Sequence, residues 1–173
     1  MFRVEIFQLK HFHAEHLYFL LASIMLNPWY ITGFADGEAA FTYSRQGGTF
    51  ALYFAIKQRE DNQHIVEEIQ RHFNFVGDIY KGKDKKGPFR AGYTKPSFYY
   101  RVTRINELKR IVEHFDKYPL QSEKKQEVYN VWREMVMHKL ENYRKVDYDK
   151  LRSLAERLSH LNSQSQAFRV HKK

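Results

Sequence analysis

The chain has no cysteine among its 173 residues. That excludes disulfides and thiolate zinc sites, and it fits an intracellular protein. No apolar run reaches the roughly 18 residues needed to span a bilayer. The apolar stretch from Leu17 to Leu26 follows Arg3 and Lys10, as the core of a signal peptide would. No small-x-small cleavage site comes after it, so it reads as a helix or strand packed on the domain, and the protein as one that is not secreted. Acid is scarce beside base: 20 Asp and Glu stand against 29 Lys and Arg, a formal net charge of +9. A surplus of that size points towards polyanions. His11, His13 and His16 lie close together, but no second cluster stands at ligand spacing, so they read as ordinary surface.

Aromatic residues are plentiful, with 14 Phe and 12 Tyr, and the length suffices for a proper core. The stretch around which the rest is arranged is Trp29-Tyr30-Ile31-Thr32-Gly33-Phe34-Ala35-Asp36-Gly37-Glu38. Asn27 suits a helix cap and Pro28 the first helical position, where a missing N–H costs nothing. Gly33 and Gly37 are four apart, so they share one nearly flat helix face that another backbone can approach. Gly37 can also end the helix in a left-handed conformation. Asp36 and Glu38 sit at the negative end of the helix dipole, where each is misplaced by several tenths of a kcal/mol, about 0.3–1. Two readings stand at that point: a solvated helix end, or a site where carboxylate and free carbonyls hold a hard divalent ion.

Further on, Ala39–Arg45 and Thr49–Lys57 are rich in strand formers and are joined by Gln46-Gly47-Gly48, a hairpin signal. Phe50, Leu52, Phe54 and Ile56 alternate with Ala51, Tyr53, Ala55 and Lys57, so one face is core and the other is available for contact. Asp61 can cap a helix running to about Phe75, buried through Ile65, Val66, Ile69 and Phe73, with Gly77 ending it. A second strand pair is expected over Asp78–Lys81, Phe89–Tyr93 and Phe98–Thr103. From Gly77 to Arg104 eight Lys and Arg stand against two Asp. Most of the charge excess therefore lies in this hairpin region, with tyrosines interleaved, and nucleic acid is favoured over a solvated loop. Helices follow from Asn106 to about Phe115, from the Ser122 cap onward, and from Asp147 through Leu151, Leu154, Leu158 and Leu161.

This is an α+β pattern in αββαββα order: an antiparallel, saddle-shaped sheet with helices on one face and additional C-terminal helices. The expected organisation is an N-terminal extension over 1–26, one domain over 27–162 and a flexible basic tail over 163–173. The open face, built from hairpins, suits a DNA major groove, which admits a two-stranded ribbon.

Ile31-Thr32-Gly33-Phe34-Ala35-Asp36-Gly37-Glu38 resembles the signature of the LAGLIDADG homing endonucleases. His114-Phe115-Asp116-Lys117-Tyr118-Pro119-Leu120, with Ser122-Glu123-Lys124-Lys125, is similar to the family's second recurring stretch. The resemblance implies a site-specific nuclease encoded in an intron or intein, making a Mg²⁺-dependent double-strand break. Mn²⁺ is expected to substitute, and Ca²⁺ to bind without supporting cleavage. The chain holds a single copy of the signature, which implies a homodimer with Trp29, Gly33 and Gly37 at the seam and a roughly palindromic DNA site.

On the same resemblance, Glu38 and the Gly37 carbonyl are metal ligands. Gln58 matches a water-orienting glutamine, and Asn62 a position sometimes held by arginine. The family lysine near the fourth strand has no clear counterpart; Asn106 falls near that register, and Lys124 or Lys125 can replace it if the fold brings them close. Recognition is expected from Thr42, Ser44, Gln46, Tyr53 and Lys57 in the first hairpin. The second would contribute Lys81, Lys83, Arg90, Lys95, Arg101 and Arg104. The runner-up functions on this scaffold are an RNA-binding intron maturase and a cleavage-inactive DNA-binding protein. A membrane partner is not expected.

Overall fold

The computed structural model describes residues 26–46, 49–82 and 96–162. Helix α1 (Pro28–Glu38) opens the domain, and the Asn27 carboxamide accepts from Trp29 N at 2.9 Å, as its place before proline predicts. Strands β1 (Ala39–Gln46) and β2 (Thr49–Arg59) follow, then a 3₁₀ turn (Glu60–Asn62) and helix α2 (Gln63–His72). Strands β3 (Asp78–Lys81) and β4 (Ser97–Val102) complete the sheet, and helices α3 (Ile105–Lys117), α4 (Glu123–Glu141) and α5 (Tyr148–Leu161) complete the domain. The expected order of elements is present.

The sheet is antiparallel throughout, in the order β1-β2-β4-β3. Its register sets Ala39 beside Ile56, and Ile56 beside Tyr100. Alternation then sends Phe41, Phe54, Ile56, Tyr100 and Val102 to the helix side, where all are buried. Phe41 is the hub, with ring centroids 5.2–5.3 Å from Phe54, Phe115, Tyr129 and Trp132. The polar tips of the buried aromatics find partners, as burial demands. Trp132 Nε1 donates to the Thr42 carbonyl at 3.2 Å, and the Tyr129 hydroxyl to Asp116 at 2.7 Å.

Several local expectations need correction. Asp61 does not cap α2; its carboxylate pairs with Arg59 at 3.0 Å, and a 3₁₀ turn intervenes before the helix. The same helix stops at His72, short of Phe75, because Asn74 and Phe75 both take left-handed φ values of 56° and 58°. Gly77 follows at φ +70°, and a Cβ there would lie 2.5 Å from the Arg101 carbonyl, so this turn admits only glycine. Gly37, by contrast, does not take a positive φ: α1 runs on to Glu38, and its C-cap is Ala39, which is extended. The expected strand over Phe89–Tyr93, the N-terminal segment with its three histidines and the tail lie outside the described residues. Among the described residues no helix is long and apolar enough to cross a membrane.

Candidate functional site

At the end of α1 the two acids have different surroundings. Asp36 accepts hydrogen bonds from Gln121 N at 2.7 Å, Ser122 N at 3.2 Å and Ser122 Oγ at 2.8 Å. It caps the start of α4 from a neighbouring helix, where the positive end of the α4 dipole welcomes a carboxylate. Ser122 holds the N-cap position as expected, but its hydroxyl donates to Asp36 and makes no cap hydrogen bond to α4. Glu38 is exposed, and among the described residues no hydrogen bond or salt bridge engages it. One acid is structural and the other is free.

A lysine approaches the free acid. Lys125 Nζ donates to the Ala39 carbonyl at 2.7 Å, directly after Glu38. Burial lowers its pKa, while the nearby Asp36 and Glu38 carboxylates raise it. Three further ties bind α1 to the stretch before α4. Thr32 Oγ1 donates to the Tyr118 carbonyl at 2.9 Å, Trp29 packs edge-on against Tyr118, and Thr32 Oγ1 lies 3.4 Å from His114 Nε2. His114 in turn contacts His72 across 3.2 Å. Burial, with the neighbouring His72, pushes the His114 pKa down to about 4, so His114 is neutral; burial also lowers that of His72.

Among the described residues nothing covers the outward face of α1. Trp29 is 51% exposed and Tyr30 46%, with Gly33 and Gly37 exposed along the same stripe. A Cβ built at either glycine would meet nothing within 4 Å. Glycine costs a helix interior about 1 kcal/mol relative to alanine, and among the described residues nothing accounts for either glycine.

The sheet face away from the helices carries Ala40, Thr42, Ser44, Ala51, Tyr53, Ala55, Lys57, Tyr99 and Arg101, as strand alternation places them. Lys57 lies over the Tyr99 ring at 5.2 Å, and Arg101 over Tyr53 at 3.7 Å.

A family model described as LAGLIDADG endonuclease matches residues 31–136. The chain belongs to the LAGLIDADG endonuclease family. A relative in Neurospora crassa named probable intron-encoded endonuclease 2 is 29% identical over 143 residues, covering 78% of this chain and 28% of the relative. The LAGLIDADG meganuclease I-AabMI, solved bound to uncleaved DNA, is 29% identical with a TM-score of 0.59; the match covers 75% of this chain and 44% of that one. I-CpaMI, also solved on uncleaved DNA, gives 26% identity, a TM-score of 0.59, and coverage of 75% and 41%. The present chain thus spans well under half the length of the proteins it matches. The α+β fold with its four-stranded antiparallel sheet is that of the LAGLIDADG structures.

The expected site residues divide into those the LAGLIDADG fold gathers and those it does not. Gly37 and Glu38 close α1, and β2 returns beside them: Ile56 pairs with Ala39, which brings Gln58 to the same end of the sheet. Asn62 Nδ2 donates to Gln58 Oε1 at 3.3 Å, so those two form a unit. Asn106 is not part of it. Its place in the first turn of α3 is at the opposite end of that helix from Tyr118, which touches α1. Of the two lysines offered in its stead, Lys125 reaches the Ala39 carbonyl beside Glu38, and Lys124 makes no such contact among the described residues.

Among the recognition candidates, Ser44, Tyr53, Lys57 and Arg101 lie on the open face, and Thr42 does too but is only 8% exposed. Lys81 is a correction. It pairs with Phe98, which shares its parity with the buried Tyr100, so it belongs to the helix side, where it meets Glu60 at 3.4 Å. Arg104 stands beyond the strand and is engaged by Glu107 at 2.8 Å. The Gln46 side chain and all of Lys83, Arg90 and Lys95 lie outside the described residues.

Proposed function

We propose that this chain is the DNA-binding and catalytic unit of a site-specific homing endonuclease that hydrolyses one phosphodiester in each strand as a homodimer. The observation that carries the reading is the free, exposed Glu38 carboxylate at the end of a glycine-flattened, exposed helix face. Packing two such faces would bury the Trp29 stripe, explain both glycines and set two Glu38 carboxylates together. The match covers only 44% of the solved relative I-AabMI, which favours the same idea in another form. A second LAGLIDADG unit would fill the place of the second copy. Sedimentation of the purified chain separates the two, since only self-association yields a dimer from this polypeptide.

Among the described residues no cluster of three or more acids or histidines is present that could hold a metal by itself. The donor set still fits Mg²⁺, or Mn²⁺ in its stead. That ion takes one or two carboxylates and leaves its other positions to water and substrate phosphates. Glu38 and the Gly37 carbonyl would hold it, since Asp36 is committed to α4. When bound, the ion supplies charge neutralisation at the scissile phosphate and acidifies the attacking water. Gln58, steadied by Asn62, accepts and donates to orient that water. Lys125 puts a partly desolvated cation beside Glu38, where negative charge grows on the phosphate during attack.

Selection from a random DNA library in Ca²⁺, followed by exchange into Mg²⁺, tests the whole reading. A long site with two-fold character that is bound in Ca²⁺ and cut in Mg²⁺ is the expected result. A bound site left intact in Mg²⁺ would leave only the cleavage-inactive DNA-binding role. Preference for RNA over every selected DNA would favour the maturase role instead.

A further inference from the structure

The open sheet face holds an arginine that has no polar partner among the described residues. Arg101 lies on β4, an inner strand, in a cross-sheet row that runs Ala40, Ala55, Arg101, Asp78. Its guanidinium carbon sits 3.7 Å from the centre of the Tyr53 ring. Nε is buried and without a hydrogen-bond partner. Among the described residues no hydrogen bond or salt bridge engages the group at all. Asp78, the carboxylate directly across, accepts from the Tyr80 hydroxyl at 3.2 Å instead.

We propose that Arg101 is a guanine-reading residue of the DNA interface and that Tyr53 is the positioning residue that aims it. This rests on the endonuclease reading above. With Nε sealed, the nitrogens left to a ligand are the two Nη groups, whose parallel N–H bonds match O6 and N7 of guanine in the major groove. A free arginine spreads over many rotamers and settles on phosphates; stacking on a ring removes that freedom before DNA arrives. The row around it points to a base rather than a phosphate. Ala40 and Ala55 leave a low floor beside Arg101, so a base edge can descend onto an inner strand, whereas lysines at rims and tips more often hold phosphates. Tyr53 contributes a surface for Arg101, not a contact of its own to a base.

The test repeats the Ca²⁺ library selection with the full chain carrying Arg101→Gln, Arg101→Lys or Tyr53→Leu. The unsubstituted chain should select a guanine at one position of each half-site by about ten- to hundredfold over other bases. Arg101→Gln should lose that preference or move it to adenine, and Arg101→Lys should keep overall affinity while weakening the preference several-fold. Tyr53→Leu should keep guanine first but with several-fold less discrimination. Other positions should not change in any variant. An unchanged selected sequence in Arg101→Gln overturns the proposal. So does a uniform loss of affinity with a salt slope smaller by about one contact, the mark of a phosphate ligand. Should the unsubstituted chain select no DNA at all, the endonuclease reading falls first and this assignment with it. Should Arg101→Gln fail to fold, Arg101→Lys retains the charge and stack and still decides between fork and point charge.

Discussion

On the helix side of the sheet, Phe54, Ile56, Tyr100 and Val102 are sealed beneath helices α1 to α4. On the other side the residues between them, Ala55, Lys57, Tyr99 and Arg101, are half or fully exposed, and two cations lie over two rings. The strands and backbone hydrogen bonds are the same for both faces; only the side-chain parity differs. One face converts apolar area into stability. The other holds charge above an apolar floor, which is useful only when something anionic arrives. The same division recurs at the end of α1, where Asp36 is spent on holding α4 and Glu38, two residues on, is left free. In both places neighbours in sequence serve structure and chemistry separately, so substitutions should separate them too.

The largest effect should follow from breaking the sealed face. Phe41→Ala removes the ring that touches four others, and should cost about 3–5 kcal/mol of folding stability, read by denaturant melting. Buried His114, beside half-buried His72, should give a smaller, pH-dependent loss. His114 is held neutral in the fold down to about pH 4 but takes a proton near 6.5 when unfolded. The unfolded state therefore binds more protons across that window. Stability is full above pH 6.5, falls as pH drops through it, and levels off below 4, by roughly 3 kcal/mol in all. His114→Gln should flatten this part of the stability–pH curve; an equally steep slope would contradict it.

Asp36→Ala should cost about 1–2 kcal/mol through the lost cap of α4, with Lys125 loosened from Ala39 as a consequence. Its conservative partner, Asp36→Asn, should recover part of the stability. It should also lower the Lys125 pKa further, because one of the two carboxylates that raise it is gone. At the small end, Tyr53→Leu and Arg101→Gln on the open face should change stability by under about 0.5 kcal/mol. A loss near that of Phe41→Ala would mean that the two faces are not separable as described.

Much of this was legible from local pattern. The alternation from Phe50 to Lys57 gave the two faces, the Gly47-Gly48 pair the hairpin, and Asn27-Pro28 the start of α1. Asp147 caps α5 as expected, accepting from Asp149 N and Lys150 N at 3.0 Å. What could not be read depends on contacts far apart in sequence. Asp36 meets residues 85 and 86 positions away, so the acid misplaced for its own helix is well placed for another. Lys125 reaches Ala39 over a similar span, and only the packing of α4 on β1 shows it. Lys81 failed for a different reason. β3 has only four residues, too few for alternation to declare its inner face, and the pairing with Phe98 turned the lysine to the helix side. Asn74 and Phe75 ended α2 early through backbone conformations that neither residue type advertises strongly.

The most direct test of the division between structure and chemistry is Glu38→Gln, assayed on the selected DNA site in Ca²⁺ and in Mg²⁺. The expected result is an unchanged melting temperature, unchanged DNA affinity in Ca²⁺, and cleavage in Mg²⁺ reduced by at least about a thousandfold. Undiminished cleavage by that variant would show that the free acid at the end of α1 is not the catalytic group, and would contradict the account at its centre.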